Sequence, residues 1–172
     1  MHYGIDIGGT KIEIATFDED LNLLDSSRVP TPTSNYDQLI NTITSVVSQA
    51  DRKSNSFGTL GIGMPGLIDT EGRSKTANVA CANGMPIVED LKVALNRPFA
   101  INNDCRLFAL SEANGGAADS AKTMYGAIIG TGAGGGFCID KELYRSPNNL
   151  AGEYGHQPGR GVRRPPGGLD QI

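Results

Sequence analysis

Three stretches of this 172-residue chain carry side chains that could do chemistry together: "DIGGTK" at residues 6–11, "NND" at 102–104 and "GTGAGGG" at 130–136. In the first, Gly8 and Gly9 let main-chain N–H groups approach an anion, Thr10 adds a hydroxyl and Lys11 adds charge, a set suited to phosphate oxygens. Asp6, just before them, is the kind of hard oxygen ligand that organises Mg²⁺ alongside phosphates. Asp104 stands where a strand-like run gives way to a helical one. A helix N-terminus and nearby amides favour its ionised form there, and an ionised carboxylate can accept a proton. The position also suits a plain helix cap, which Asp makes well; the two roles are compatible.

The third stretch places Gly130, Gly132 and Gly135 at G-x-G-x-x-G spacing, which alone is weak evidence for a nucleotide site. A dinucleotide-binding turn needs a helix directly after it to receive the pyrophosphate. Here Phe137 and Ile139 alternate with Cys138 and Asp140, a strand pattern. The glycines are therefore expected to turn a hairpin, as those of "DIGGTK" do, and a dehydrogenase reading is set aside.

The elements that must hold these residues read as alternating strands and helices. Residues 3–7, 11–17 and "LNLLDSSRV" form a meander of three strands. Tyr36, Leu39, Ile40, Ile43, Val46, Val47 and Ala50 recur at helical spacing, with Ser34 as the expected N-cap and Asp37 in the first turn. "TLGIGMPG" reads as a buried strand ending in a turn, residues 87–95 as a short helix, and "FAINND" as a strand running into a helix that ends near "NGGAAD". After residue 119 the pattern restarts with "TMYGAIIG" and "GGGFCID".

Composition bounds the function. Residues are 38% hydrophobic and 20% charged, and no apolar run approaches the roughly 20 residues that span a bilayer. The N-terminus lacks a basic region followed by a long apolar one, so a cytoplasmic protein with no membrane partner is expected. A net charge of -4 argues against nucleic acid. Cys81, Cys105 and Cys138 are odd in number and widely spaced, which predicts reduced, mostly structural thiols.

"DIGGTK", "GIGMPG", "NND", "GTGAGGG" and "AGEYGH" follow one another in an order that resembles the ROK family of repressors, open reading frames and kinases, over residues 1 to about 158. Within it the chain looks most like N-acetylglucosamine kinases and their fructokinase relatives. The resemblance implies an α/β, actin-like (ribonuclease-H-like) ATPase fold: an N-terminal lobe at 1–118, the start of a C-terminal lobe at 119–158, and a tail at 159–172. It implies ATP-dependent phosphorylation of a sugar hydroxyl, N-acetylglucosamine to its 6-phosphate, with another hexose as the alternative. Asp6, Gly8, Gly9, Thr10 and Lys11 would form one phosphate loop, and Gly130, Thr131, Gly132, Gly134, Gly135 and Gly136 the other, around Mg²⁺ and ATP. Asp104 would be the general base, with Gly66, Asn78, Asn103, Glu153 and His156 around the sugar. His156 also belongs, with a C-x-C-G-x-x-G-C cluster, to the family's structural zinc site, and the full-length parent would be a homodimer.

That cysteine cluster is absent. From Pro158 onward, 10 of 15 residues are Gly, Pro or Arg, and apolar periodicity ends. A shortened chain, a gene fragment or a shifted reading frame would each give this pattern. Two rivals follow: an inactive or sugar-binding remnant, and a repressor, which would need a helix-turn-helix for which the residues before Asp6 leave no room.

Overall fold

The structure, a computed structural model, describes residues 1–129, 133–146 and 151–152. Its first sheet begins with β1 (His2–Ile7), β2 (Lys11–Phe17) and β3 (Leu23–Pro30), the expected antiparallel meander. Helix α1 (Tyr36–Ser54) then crosses to β4 (Thr59–Met64), and α2 (Ile87–Leu95) crosses to β7 (Ala100–Asn103). Both strands run parallel to β1, giving the order β3-β2-β1-β4-β7. Between β4 and α2 lie the two-residue strands β5 (Leu67–Ile68) and β6 (Ser74–Lys75) and a 3-10 turn at Ala80–Ala82.

Strand alternation explains the core. Tyr3, Ile5 and Ile7 on β1, Ile12 and Ile14 on β2, and Leu60, Ile62 and Met64 on β4 are buried. Against them lie Leu39, Ile43, Val46 and Val47 of α1 and Ile87, Leu91 and Leu95 of α2. Each such side chain removed from water is worth about 1.5–3 kcal/mol. The opposite face of these strands carries His2, Gly4 and Asp6 on β1 and Lys11, Glu13 and Ala15 on β2.

The cap of α1 differs from expectation. Asn35 accepts from the Gln38 amide at 2.9 Å while its own backbone stays extended; Ser34 sits one residue too early to reach that third amide. Asn55 and Asn96, in the left-handed conformation, end α1 and α2. Tyr36 donates to Asp90 at 2.7 Å and ties the two helices together; burial, then the Asp90 carboxylate, push its phenol pKa up.

A second junction joins the helix ends to the sheet. Arg97, 5% exposed in its side chain, pairs with Asp51 of α1, donates to the Gly58 carbonyl at 3.2 Å and lies 3.7 Å over the Phe57 ring.

Helix α3 (Asp104–Ala113) leads from the large sheet to a smaller one, in which β9 (Ala133–Ile139) lies between β8 (Thr123–Ile129) and β10 (Glu142–Leu143). Gly126 and Gly136 face α3 so closely that a Cβ on either would lie 2.9 or 2.8 Å from the Ala109 methyl. Cys138 is buried beside Ala109 and Ala113, whereas Phe137 and Ile139 occupy the more open face. Burial pushes the Cys138 thiol up, and no disulfide joins the three cysteines.

Candidate active site

Parallel strands in an α/β sheet gather ligand-binding loops at their carboxyl ends. Here that edge brings together Asp6 near the end of β1, the Gly8–Thr10 turn, Gly66 after β4, and Asn103 and Asp104 at the end of β7. Register makes the arrangement explicit. Arg28, Glu13, Asp6, Gly63 and Asn102 pair in one row across all five strands. The bare Gly63 lets α3 approach: a Cβ there would meet Leu107 at 3.3 Å and the Asp104 Cα at 3.9 Å.

The first glycine turn is a braced hairpin. The Gly8 amide donates to the Lys11 carbonyl at 2.9 Å, the Thr31 hydroxyl donates to the Gly8 carbonyl at 2.7 Å, and the Thr31 amide donates to the Thr10 carbonyl at 3.0 Å. Gly9 and Thr10 remain exposed at its tip. Gly9 also passes so near residue 78 that a Cβ would lie 2.9 Å from the Asn78 carbonyl, which puts Asn78 beside the turn.

Charge around the turn is uneven. Arg28 grips Glu13 with bonds of 2.7 and 3.0 Å, and that side-chain bond holds Glu13 below the usual carboxylate range. Lys11 keeps only a loose 3.9 Å contact with Glu13, leaving its exposed ammonium within reach of a ligand. Asp6 is raised: neighbouring protein atoms desolvate it even though its surface is open, the Asp104 and Glu13 carboxylates raise it further, and Lys11 opposes them. Such a carboxylate gains from a cation. Among the described residues no group of three His, Cys, Asp or Glu side chains gathers to hold a metal. One carboxylate completed by phosphate oxygens is enough for Mg²⁺, and Asp6 fits that role.

At the second stretch, Asn103 and not Asp104 caps α3. Its Oδ1 accepts from the Arg106 amide at 3.1 Å, and its Nδ2 donates to the Gly66 carbonyl at 2.8 Å. Asp104 occupies the first helical position, half-buried, with Oδ1 accepting from the Cys105 amide at 2.8 Å. The expected capping Asp is displaced because Asn103 retains extended backbone, the geometry a cap requires. Gly66 has φ +91°, and a Cβ would collide with the Lys75 carbonyl, so this passage admits only glycine.

Gly134, Gly135 and Gly136 lie within β9. Gly134 packs on the Cys105 thiol, Gly136 on Arg106 and Ala109, and Gly135 on Tyr125. Their absent side chains admit a helix on one face and a tyrosine on the other. Gly130, Thr131, Gly132, Glu153 and His156 lie outside the described residues. Ala151 and Gly152, directly before Glu153, are held by Arg106, Tyr125 and Ser146. Arg106 and the β5–β6 hairpin escaped sequence reasoning. An arginine two residues from a catalytic candidate reads as surface, and two-residue strands have no period to detect.

The chain is similar to known sugar kinases. N-acetylgalactosamine kinase AgaK of Shewanella sp. (strain ANA-3) is 47% identical over 91% of this chain and 51% of its own. N-acetyl-D-glucosamine kinase of Haemophilus influenzae (strain 86-028NP) is 44% identical over 91% of this chain and 52% of its own. A ROK family glucokinase from Streptomyces griseus, solved in complex with glucose and AMPPNP, superposes with a TM-score of 0.79 at 28% identity, over 91% of this chain and 50% of that one. The chain thus spans about half the length of the curated relatives it matches. No helix among the described residues is long and apolar enough to cross a membrane. With the ROK family pattern matching residues 2–165 and the actin-like α/β fold in place, the chain belongs to the ROK family.

Proposed function

We propose that this chain supplies the first phosphate loop, the general base and part of the sugar site of an ATP-dependent N-acetylhexosamine kinase. The observation that carries the reading is the single carboxyl edge on which the braced glycine hairpin, Asp6, Gly66 and Asp104 converge. The Asp104 carboxylate takes the proton of the sugar hydroxyl as its oxygen bonds to the γ-phosphorus of ATP; the bond from that phosphorus to the β-γ bridging oxygen breaks, and ADP leaves. Such catalysis is mostly positioning and charge stabilisation. Asp6 would hold Mg²⁺, which would supply neutralisation of phosphate charge. Thr10 and Lys11 meet phosphate oxygens, and Gly130, Thr131, Gly132 and Gly134–Gly136 make the facing wall.

Asn103, Asn78, the Gly66 turn, Glu153 and His156 surround the sugar. The amide nitrogen and oxygen of Asn103 each have one hydrogen-bonding position beyond those used internally, and a sugar hydroxyl takes it. Lobes divided near residue 118, a cytoplasmic setting, a homodimer and the absence of a nucleic-acid partner belong to the same reading. A zinc site would need His156 and ligands beyond Cys81, Cys105 and Cys138, which stand on different elements. N-acetylglucosamine is the first acceptor, phosphorylated at its 6-hydroxyl. The AgaK relative favours N-acetylgalactosamine as the second.

Sugar-dependent ADP release by the whole protein tests this, with N-acetylglucosamine, N-acetylgalactosamine, glucose and fructose compared. Asp104→Asn should lower turnover by about 10² to 10⁴ while sugar affinity stays within about threefold, since basicity is lost and shape is kept. Turnover near that of the unaltered protein would remove the base assignment. Sugar binding without turnover in the unaltered protein would leave a binding remnant in place of an enzyme.

A further inference from the structure

We infer that Arg106 is a positioning residue that locks the sugar-binding segment to the helix carrying the base. It stands two residues beyond Asp104 in the first turn of α3 and is 4% exposed. Its backbone amide is the donor that Asn103 caps, at 3.1 Å, so its main chain belongs to the base's own turn. Its guanidinium leaves that turn and donates from Nη2 to the Ala151 carbonyl at 3.1 Å. The Tyr125 hydroxyl donates to the next carbonyl, that of Gly152, at 3.0 Å, and the Ser146 hydroxyl accepts from the Ala151 amide at 3.0 Å. Gly152, at φ +90°, passes so near β9 that a Cβ would lie 2.8 Å from the Gly135 carbonyl. Residues 151 and 152 are therefore fixed from three sides. Of the three tethers, only Arg106 comes from the helix that presents Asp104.

The next residue is Glu153. On the function proposed above, on which this inference rests, Glu153 holds sugar hydroxyls, and Asp104 must meet one hydroxyl of the same sugar. Two groups 49 positions apart in sequence then need a common mount, and the buried Arg106 side chain, bonded to the Ala151 carbonyl, ties α3 to the segment that leads into Glu153. A misplacement of about 1 Å in such a constellation can cost on the order of 10²-fold in rate. Arg106 touches neither reactant in this scheme; it sets the distance between groups that do.

Arg106→Met and Arg106→Lys separate this from simple support. In the whole protein, Arg106→Met should raise the sugar KM by about ten- to a hundredfold and leave the ATP KM within twofold, while Arg106→Lys, which keeps one donor, recovers most of the sugar KM. An equal rise in both KM values, or no recovery by lysine, overturns the inference. A second readout does not depend on turnover and is made on the chain itself. Hydrogen exchange at the Ala151 amide should speed up at least tenfold in Arg106→Met, with the amides of α3 unchanged and Arg106→Lys close to the unaltered chain. Unchanged exchange at Ala151 overturns the inference whether or not the protein phosphorylates a sugar. Absence of turnover in the unaltered protein, with the exchange result as expected, overturns only the proposed function.

Discussion

The two larger sheets of this molecule are held in place by different means. Eighteen buried apolar residues form the core on one face of the five-stranded sheet, whereas the described part of the smaller sheet and α3 share a buried cluster of Ala109, Ala113 and Cys138, with Leu110, Met124 and Leu143 partly buried against it. The first relies on apolar area withdrawn from water. The second relies on close backbone approach at Gly126 and Gly136 and on polar ties: Asn114 to the Lys141 carbonyl at 2.9 Å and Lys141 to Asp119 at 2.7 Å. Its far side carries Tyr125, Phe137 and Tyr144 in a row of ring contacts 6.2 and 6.5 Å apart, with Ile129 86% exposed at the end of β8. Local stability follows buried contacts, so the Gly8–Thr10 hairpin rests on a firm support and Ala151–Gly152 on a softer one.

The sharpest way to probe the firm region is Arg97→Met. Removing one partner of a buried pair leaves the other uncompensated, and Asp51 is itself mostly buried, so a loss of about 3 kcal/mol is expected in chemical denaturation. A change under about 1 kcal/mol would show that α1, α2 and the sheet hold together without that junction. Gly136→Ala addresses the soft region. Its methyl would lie 2.8 Å from both the Ala109 Cβ and the Arg106 Cα, an overpacking worth about 1–3 kcal/mol, confined to β8, β9 and α3. Amide exchange should accelerate there and not in β1 or β4; equal acceleration in both sheets would erase the contrast.

Asp6→Asn should have the smallest effect, and a stabilising one. A carboxyl raised in the folded state binds its proton more tightly there than when unfolded. Stability therefore falls as pH rises from the ordinary Asp value of 3.8 through the raised one, and the penalty is complete at neutral pH. The amide abolishes that penalty. A slightly higher melting temperature at pH 7, with no gain at pH 3, is expected together with weaker binding of Mg-ATP. Equal shifts at both pH values would mean that the carboxylate's charge is not the cause.

Periodicity made much of this legible beforehand. The meander, α1, the 87–95 helix and the strand through Phe137 and Ile139 are where apolar spacing places them, because each buries a face that repeats at 2 or 3.6 residues, while Gly134–Gly136, expected in the turn, extend that strand. Caps were displaced by one residue, at Asn35 for Ser34 and at Asn103 for Asp104. Which of two adjacent polar residues stays extended depends on where the preceding strand or loop releases the chain. Gly134–Gly136 were legible as special and not as packing surfaces, since the partners that need the space, Cys105, Arg106, Ala109 and Tyr125, are set by tertiary structure. The same is true of Arg97 and Arg106, whose burial depends on acceptors 46 and 45 positions away.

The register row that joins Asp6 to Gly63 and Asn102 has a mechanical consequence. Asp6 stands on β1 and Asp104 follows β7, with β4 alone between them. Two strand spacings of about 4.8 Å separate the Asp6 backbone by roughly 10 Å from that of Asn102, two residues before Asp104. A hydrogen-bonded sheet acts here as a ruler with fixed graduations: no side-chain exchange lengthens it, and only adding or removing a whole strand would. Under the proposed function, fitting a larger or smaller acceptor gains nothing from adjusting the two carboxylates against each other. The adjustable parts are the segments that reach the edge from outside the sheet: residues 66–85, anchored by Asn103, and Ala151–Gly152, anchored by Arg106.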